Sequence, residues 1–190
     1  MEVTLIKDSY AALLAKHGFY LGPRSDTNDH KAVRAFQRAF WGDGTQLLTV
    51  DGIIGRNTNT AMGWLPNLSR WFLTFELWDE RAHENLIKRE LVGALEALRR
   101  RIGRPLVINS GYRSLSTNTL VGGAPHSLHM HGLAADLGTV VGAADVRSIG
   151  AFSGMGFKGK RVLHVDMRHV LGDDNPTPTA TPKAPAQWSY

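Results

Sequence analysis

The chain of 190 residues contains no cysteine. Disulfides, thiolate metal sites and cysteine nucleophiles are thereby excluded, and any metal must be held by histidine and carboxylate. Long apolar runs are also missing. No stretch approaches the roughly 20 apolar residues of a membrane span, so stable membrane insertion is not expected. The opening residues, MEVTLIKDSYAALLAKHGF, carry Glu2, Lys7 and Asp8 where a signal peptide needs an unbroken apolar centre. Synthesis in the cytoplasm without a leader is the expectation. Acidic residues are outnumbered, 17 against 22 basic ones, for a net charge of +5 and a pI near 9.7. Such a balance favours polyanionic partners, an anionic cell envelope or nucleic acid. Nucleic acid would rest on charge only and is not expected.

What is present reads as a globular protein with a packed core, at 43% hydrophobic and 21% charged residues. Leu5, Ile6, Tyr10, Leu13 and Leu14 recur at helical spacing over 4–17, and Gly18 comes next as a stop. A turn-rich LGPRSDTNDH leads into a second helix, KAVRAFQRAF, with Ala32, Val33, Phe36 and Phe40 on one face. Tight turns at Asp51-Gly52 and Gly55 then precede a short third helix capped by Asn57 or Thr58. Phe36, Phe40, Ile53 and Ile54 are expected in the core. Residues 63–78, aromatic-rich and broken by Pro66, read as a linker docked on a second domain.

The clearest helix spans 84–102, with Leu86, Ile87, Leu91, Leu95 and Leu98 as its buried stripe and Arg99–Arg101 at its C-terminal end. Cations there suit the helix dipole. PLVINS (105–110), GLAADLG and RVLHVDMR are strand candidates. The tail from Asp173 is rich in Pro, Thr and Ala; an extended or disordered segment without function is expected.

Three of the eight histidines, His126, His129 and His131, crowd into six residues just before GLAADL. Alternation along a strand sends Leu133, Ala135 and Leu137 to one side and Ala134 and Asp136 to the other. Asp136 then needs a cationic partner, because an unpaired buried carboxylate is costly. In RVLHVDMR, Leu163, Val165 and Met167 share the apolar face, so His164 and Asp166 point together to the other. Two histidines and one carboxylate around zinc, with a fourth position open to water, make a catalytic arrangement.

Two resemblances join these pieces. AVRAFQ (32–37) with VDGIIGRNTNTAM (50–62) is similar to the three-helix peptidoglycan-binding domain of cell-wall hydrolases. SGYRS (110–114), VGGAPHSLHMHGLAADL (121–137) and LHVDMR (163–168) resemble the M15 family of zinc D,D-carboxypeptidases and L-alanyl-D-glutamate endopeptidases. Its S-x-H-x-x-G-x-A-x-D pattern is matched by Ser127, His129, Gly132, Ala134 and Asp136. The resemblance implies zinc held by His129, Asp136 and His164, and Arg113 holding the substrate's carboxylate or carbonyl oxygen; the alternative for Arg113 is a fold-stabilising ion pair. Ser127 either binds substrate or caps the ligand loop, and His126 and His131 are left over. Several family branches carry the catalytic acid three residues before the last histidine, where this chain has Arg161, and no acid occurs from 147 to 163. Asp166 is therefore assigned as general base; the competing roles are orienting His164 or pairing with Arg168.

The fold expected is α+β: a peptidoglycan-binding helical bundle at 1–65, a linker at 66–72, a zinc peptidase domain at 73–172 with a small antiparallel sheet flanked by helices, and a tail at 173–190. The activity expected is cleavage of a stem-peptide bond by zinc-activated water, in a monomeric phage endolysin that reaches the wall through membrane holes. The alternative is a non-catalytic wall-binding or virion structural protein with a retained zinc site.

Overall fold

The computed structural model describes residues 6–174 and 181–190, without the side chains of 172–174. Among them are seven α-helices and five strands in an α+β arrangement: α1 Asp8–Lys16, α2 Asp26–Ala39, α3 Arg56–Met62, α4 Thr74–Leu77, α5 Arg89–Ile102, β1 Ile108–Ser110, α6 Leu115–Leu120, β2 Ala134–Gly142, α7 Ala143–Ile149, β3 Gly154–Lys158, β4 Arg161–Asp166 and β5 Ala186–Ser189. Of the first predicted helix, Leu5 lies outside the described residues.

The second helix starts earlier than its apolar stripe implied. Ser25 caps it, its side chain accepting from the Asn28 N–H, and Asp26 and Asp29 occupy the first turn, where carboxylates favour the helix dipole. Asp29 is buried and accepts hydrogen bonds from the Ile6 N–H, the Tyr20 hydroxyl and Arg24. The pairing of AVRAFQ with the DG turn has a direct cause. Gln37, fully buried at the end of α2, accepts from the Gly52 N–H (2.8 Å) while its amide nitrogen lies 2.8 Å from Asp51 Oδ1 and 3.1 Å from Thr58 Oγ1. Gly52 is required there: its φ is +81°, and a Cβ would stand 2.6 Å from the His30 ring. Gly55, rather than Asn57 or Thr58, occupies the cap of α3. Phe36 and Phe40 are buried as expected, but Ile53 is 59% exposed and Ile54 only half-buried, because the turn that Gln37 holds carries Ile53 outward.

The segment 66–72 puts Leu68 and Phe72 completely inside, and the buried apolar side chains form one continuous cluster from Leu14 to Met167. Trp71 receives the guanidinium groups of Arg70, Arg99 and Arg100 near its ring, which occupies much of the basic run at the end of α5. α5 begins at Arg89, five residues later than predicted. The preceding N–H groups serve other segments: Asn85 N–H donates to Gly18 O and Lys88 N–H to Gly132 O.

The sheet order is β1-β2-β4-β3-β5, antiparallel except for the parallel pair β3–β5. Leu91, Val92, Leu95 and Leu98 of α5 join the sheet side chains in the core, so the central strands present their other surface to the site. In β4 the simple alternation fails at one place. Val162 and His164 lie opposite the consecutive residues Phe157 and Gly156, so Leu163 is an extra, bulged residue. Leu163 therefore leaves the core face and lines the cleft beside His164, while Val162 and Val165 fill the core. Of the tail expected to be extended or disordered, residues 175–180 lie outside the described residues, but 186–189 form an edge strand.

Candidate metal centre and cleft

β2 and β4 are neighbours with Asp136 opposite His164, which brings the two candidate ligands together across the ladder. His129 arrives from a 3-10 turn, Leu128–His131, that Gly132 ends at φ +67°. A Cβ on Gly132 would collide with Leu86 O, so only glycine lets this turn pack against the stretch before α5. His129 Nε2, His164 Nδ1 and Asp136 Oδ1 then stand 3.3, 3.3 and 2.9 Å from one another. Nitrogen and oxygen ligands about 2.0–2.1 Å from a tetrahedral ion are separated by about 3.3 Å. The donor set therefore has the spacing and the composition of a metal site, and these three residues are a potential metal-holding group.

The outer contacts fix which atoms face inward. His129 Nδ1 lies 2.6 Å from Gly111 O, so it carries the hydrogen and leaves Nε2 as the donor pair. Gly111 itself is pressed against Leu77, whose carbonyl a Cβ would meet at 2.5 Å. On the other imidazole, Nε2 lies 3.3 Å from Asp166 Oδ2, which leaves Nδ1 facing His129 and Asp136. Burial lowers the His129 pKa and keeps the ring neutral, as ligation requires. Burial also opposes charge on His164, but Asp136 and Asp166 outweigh it and raise its pKa. Burial would raise Asp136; hydrogen bonds to both imidazoles prevail and hold it well below the usual carboxylate range.

Asp166, assigned from the sequence as general base, lines the cleft beside His164 but is engaged by Arg168. Its carboxylate is completely buried and grasped by Arg168, with Nε 2.9 Å from Oδ1 and Nη2 2.6 Å from Oδ2, while the Arg168 N–H adds a third bond at 3.1 Å. Burial would raise its pKa, yet Arg168 and His164 bring it down to about 2. Gly154 on β3 makes room for this pair, since a Cβ there would collide with the Asp166 carboxylate. The competing role fits: Asp166 orients His164 and pairs with Arg168.

Arg113 lies in the cleft wall and forms an ion pair with Asp136 through Oδ2, while its Nε donates to Ser110 Oγ at 2.9 Å. Ser127 and His126 also line the cleft, which has a volume of about 710 Å³; His126 is exposed and Ser127 nearly buried. Ser127 makes no side-chain cap bond to the 3-10 turn. His131 faces a different hollow, with Arg38 and Lys88. Arg161 is exposed at the start of β4, opposite Gly142 and Lys158, away from the ligands. Sequence reading missed Trp188 and Tyr190, which line the same cleft. The tryptophan is one of five in the chain, and its place after a Pro- and Thr-rich stretch gave no local signal.

A family model described as Peptidase M15 matches residues 48–166, more than half of the chain. A zinc D-Ala-D-Ala carboxypeptidase of Streptomyces albus G is 39% identical over 88 residues, covering 42% of this chain and 33% of that protein. The chain thus spans about a third of the length of that curated relative. With the His129–Asp136–His164 group inside the matched segment, the chain belongs to the peptidase M15 family.

Proposed function

We propose that this protein is a zinc peptidase that hydrolyses a peptide bond in the stem peptides of peptidoglycan, and that it works as a lytic enzyme of the endolysin kind. The observation that carries the reading is the convergence of His129 Nε2, His164 Nδ1 and Asp136 Oδ1 at tetrahedral spacing beside a cleft. These residues hold Zn2+, whose nitrogen and oxygen preferences they meet without a thiolate. When bound, zinc supplies Lewis-acid polarisation of a carbonyl and lowers the pKa of water. A substrate ending in D-Ala-D-Ala is supported by the activity named for the Streptomyces relative.

The chain's own residues divide the remaining work. Gly111 and Asp166 fix the tautomers of His129 and His164, so that both rings present a lone pair to the centre. Arg113 neutralises the outer oxygen of Asp136 and is a cation in the cleft wall that would meet the oxygen of a peptide or terminal carboxylate. With Asp166 locked by Arg168, the imidazole lining the cleft outside the ligand set is His126, and proton transfer is assigned to it.

Residues 1–65 would bind the wall and raise the local concentration of the peptidase on an insoluble substrate. Support comes from the Gln37-centred turn, which leaves Ile53 59% exposed, and from Leu47, 47% exposed on the segment that leads to it. No helix of the described residues is long and apolar enough to cross a membrane. The test of the whole reading is mass spectrometry of fragments released from purified peptidoglycan by the zinc-loaded, chelated and reconstituted enzyme.

A further inference from the structure

The C-terminal strand is built into the sheet with more care than a passive tail requires. β5 runs parallel to β3, with Gly154 opposite Ala186 and Gly156 opposite Trp188. Ala186 N–H donates to Ser153 O at 2.9 Å and Tyr190 N–H to Phe157 O at 3.0 Å, so main-chain bonds close both ends. On the outer side Arg147 donates to the Gln187 side chain at 2.9 Å. Alternation then turns Trp188 and Tyr190 to the cleft face. Gly156 makes this possible, because a Cβ there would stand 2.8 Å from the Tyr190 ring and 2.9 Å from Trp188 Nε1.

The indole does not hang free in the cleft. Its ring centroid is 5.2 Å from that of His164, at an interplanar angle of 57°. Arg168 Cζ lies 5.0 Å from the same indole centroid, within the range of a cation–π contact. Arg168 grips Asp166, and Asp166 holds His164 Nε2, so Trp188 touches both ends of a closed chain that ends on a metal-holding imidazole. Asp166 is completely buried and Arg168 only 9% exposed, and the indole packs on that pair where water would otherwise compete for the charges.

We propose that Trp188 is a positioning residue of the metal centre: the C-terminal strand sets its indole against His164 and Arg168 and so keeps the His164 ring in its metal-holding orientation. The inference rests on the zinc reading of the His129–Asp136–His164 group. It makes residues 181–190 part of the site, although they lie beyond the segment matched by the family model.

The test measures zinc affinity and zinc release by chelator competition on the full chain, with thermal melting as a control. Partners in the outer shell of a metal site are typically worth 10–100-fold in affinity, and Trp188→Ala should weaken zinc binding about tenfold and speed release. Trp188→Phe keeps an aromatic face for Arg168 and His164 and should stay within about threefold of the wild type. A chain ending at Ala180 should behave as Trp188→Ala does. Wild-type zinc affinity in Trp188→Ala overturns the inference, as does an equal loss in Trp188→Phe and Trp188→Ala. If the shortened chain fails to melt cooperatively, the alanine and phenylalanine variants decide. A wild type that takes up no zinc overturns the metallopeptidase reading and this inference with it, an outcome distinct from a wild type that binds zinc as tightly as Trp188→Ala.

Discussion

Replacing Asp166 by asparagine separates two roles that the sequence left open. The substitution keeps the shape of a completely buried side chain but removes the charge that accepts from Arg168 Nε, Arg168 Nη2 and the Arg168 N–H at 2.6–3.1 Å. Taking one partner from a buried ion pair costs about 3–5 kcal/mol; here the lower end is expected, because Arg168 keeps its contact with Trp188. His164 Nε2 loses a charged acceptor at 3.3 Å, so the ring is less firmly held and less basic toward a metal. The expected loss in zinc affinity is about 10–100-fold. Turnover measured across a zinc titration should therefore fall at low zinc and return to within about threefold of wild type at saturation. A general base instead contributes about 10²–10⁴-fold to rate at any zinc level. Unchanged zinc affinity with a turnover loss of about 10²-fold at saturating zinc would refute the orienting role and restore Asp166 as the base.

His126→Ala should lower turnover by about 10²-fold at full zinc occupancy, the lower range of a lost proton-transfer group, with zinc affinity unchanged; near-normal turnover would remove His126 from the reaction. Ile53→Asp, on the exposed turn between α2 and α3, should reduce co-sedimentation of the full chain with purified sacculi while leaving zinc content intact. Asp79 is nearly buried and accepts from the backbone N–H groups of Arg81, Ala82 and Ser114, and Asp79→Ala should cost about 1–3 kcal/mol in denaturant unfolding. Burial opposes its ionisation, but Ser114 and those N–H groups outweigh it and depress its pKa. Its contribution is thus fully present above the ordinary aspartate value and is lost as the pH falls through the depressed one, so the difference between wild type and Asp79→Ala should shrink in acid.

The group His129, Asp136 and His164, which could hold a metal, was legible because each member sits in a short-range pattern. His129 and Asp136 belong to one ten-residue motif, and His164 is reached by alternation along β4. Asp166 was placed on the correct strand face, but its role depended on Arg168, two residues on, curling back over the same carboxylate. β3 escaped notice because GMGFK carries two glycines and little β-branched content. α6 was hidden in the polar LSTNTL, where only the Ser114 cap marks a helix. β5 was the least accessible. Its partner strand lies some thirty residues earlier, and parallel pairing leaves no hairpin signature in the sequence. The bulge at Leu163 was likewise invisible, since alternation read from the sequence has no means of showing an extra residue.

Fragment mass spectrometry on purified peptidoglycan, run with the zinc-loaded enzyme, after exhaustive chelation and after zinc is restored, tests the central claim most directly. New stem-peptide termini are expected with zinc, none after chelation, and their return on reconstitution, with His129→Ala, Asp136→Ala and His164→Ala inactive throughout. Full release of fragments after exhaustive chelation, or intact peptidoglycan with one zinc bound per chain, would contradict it.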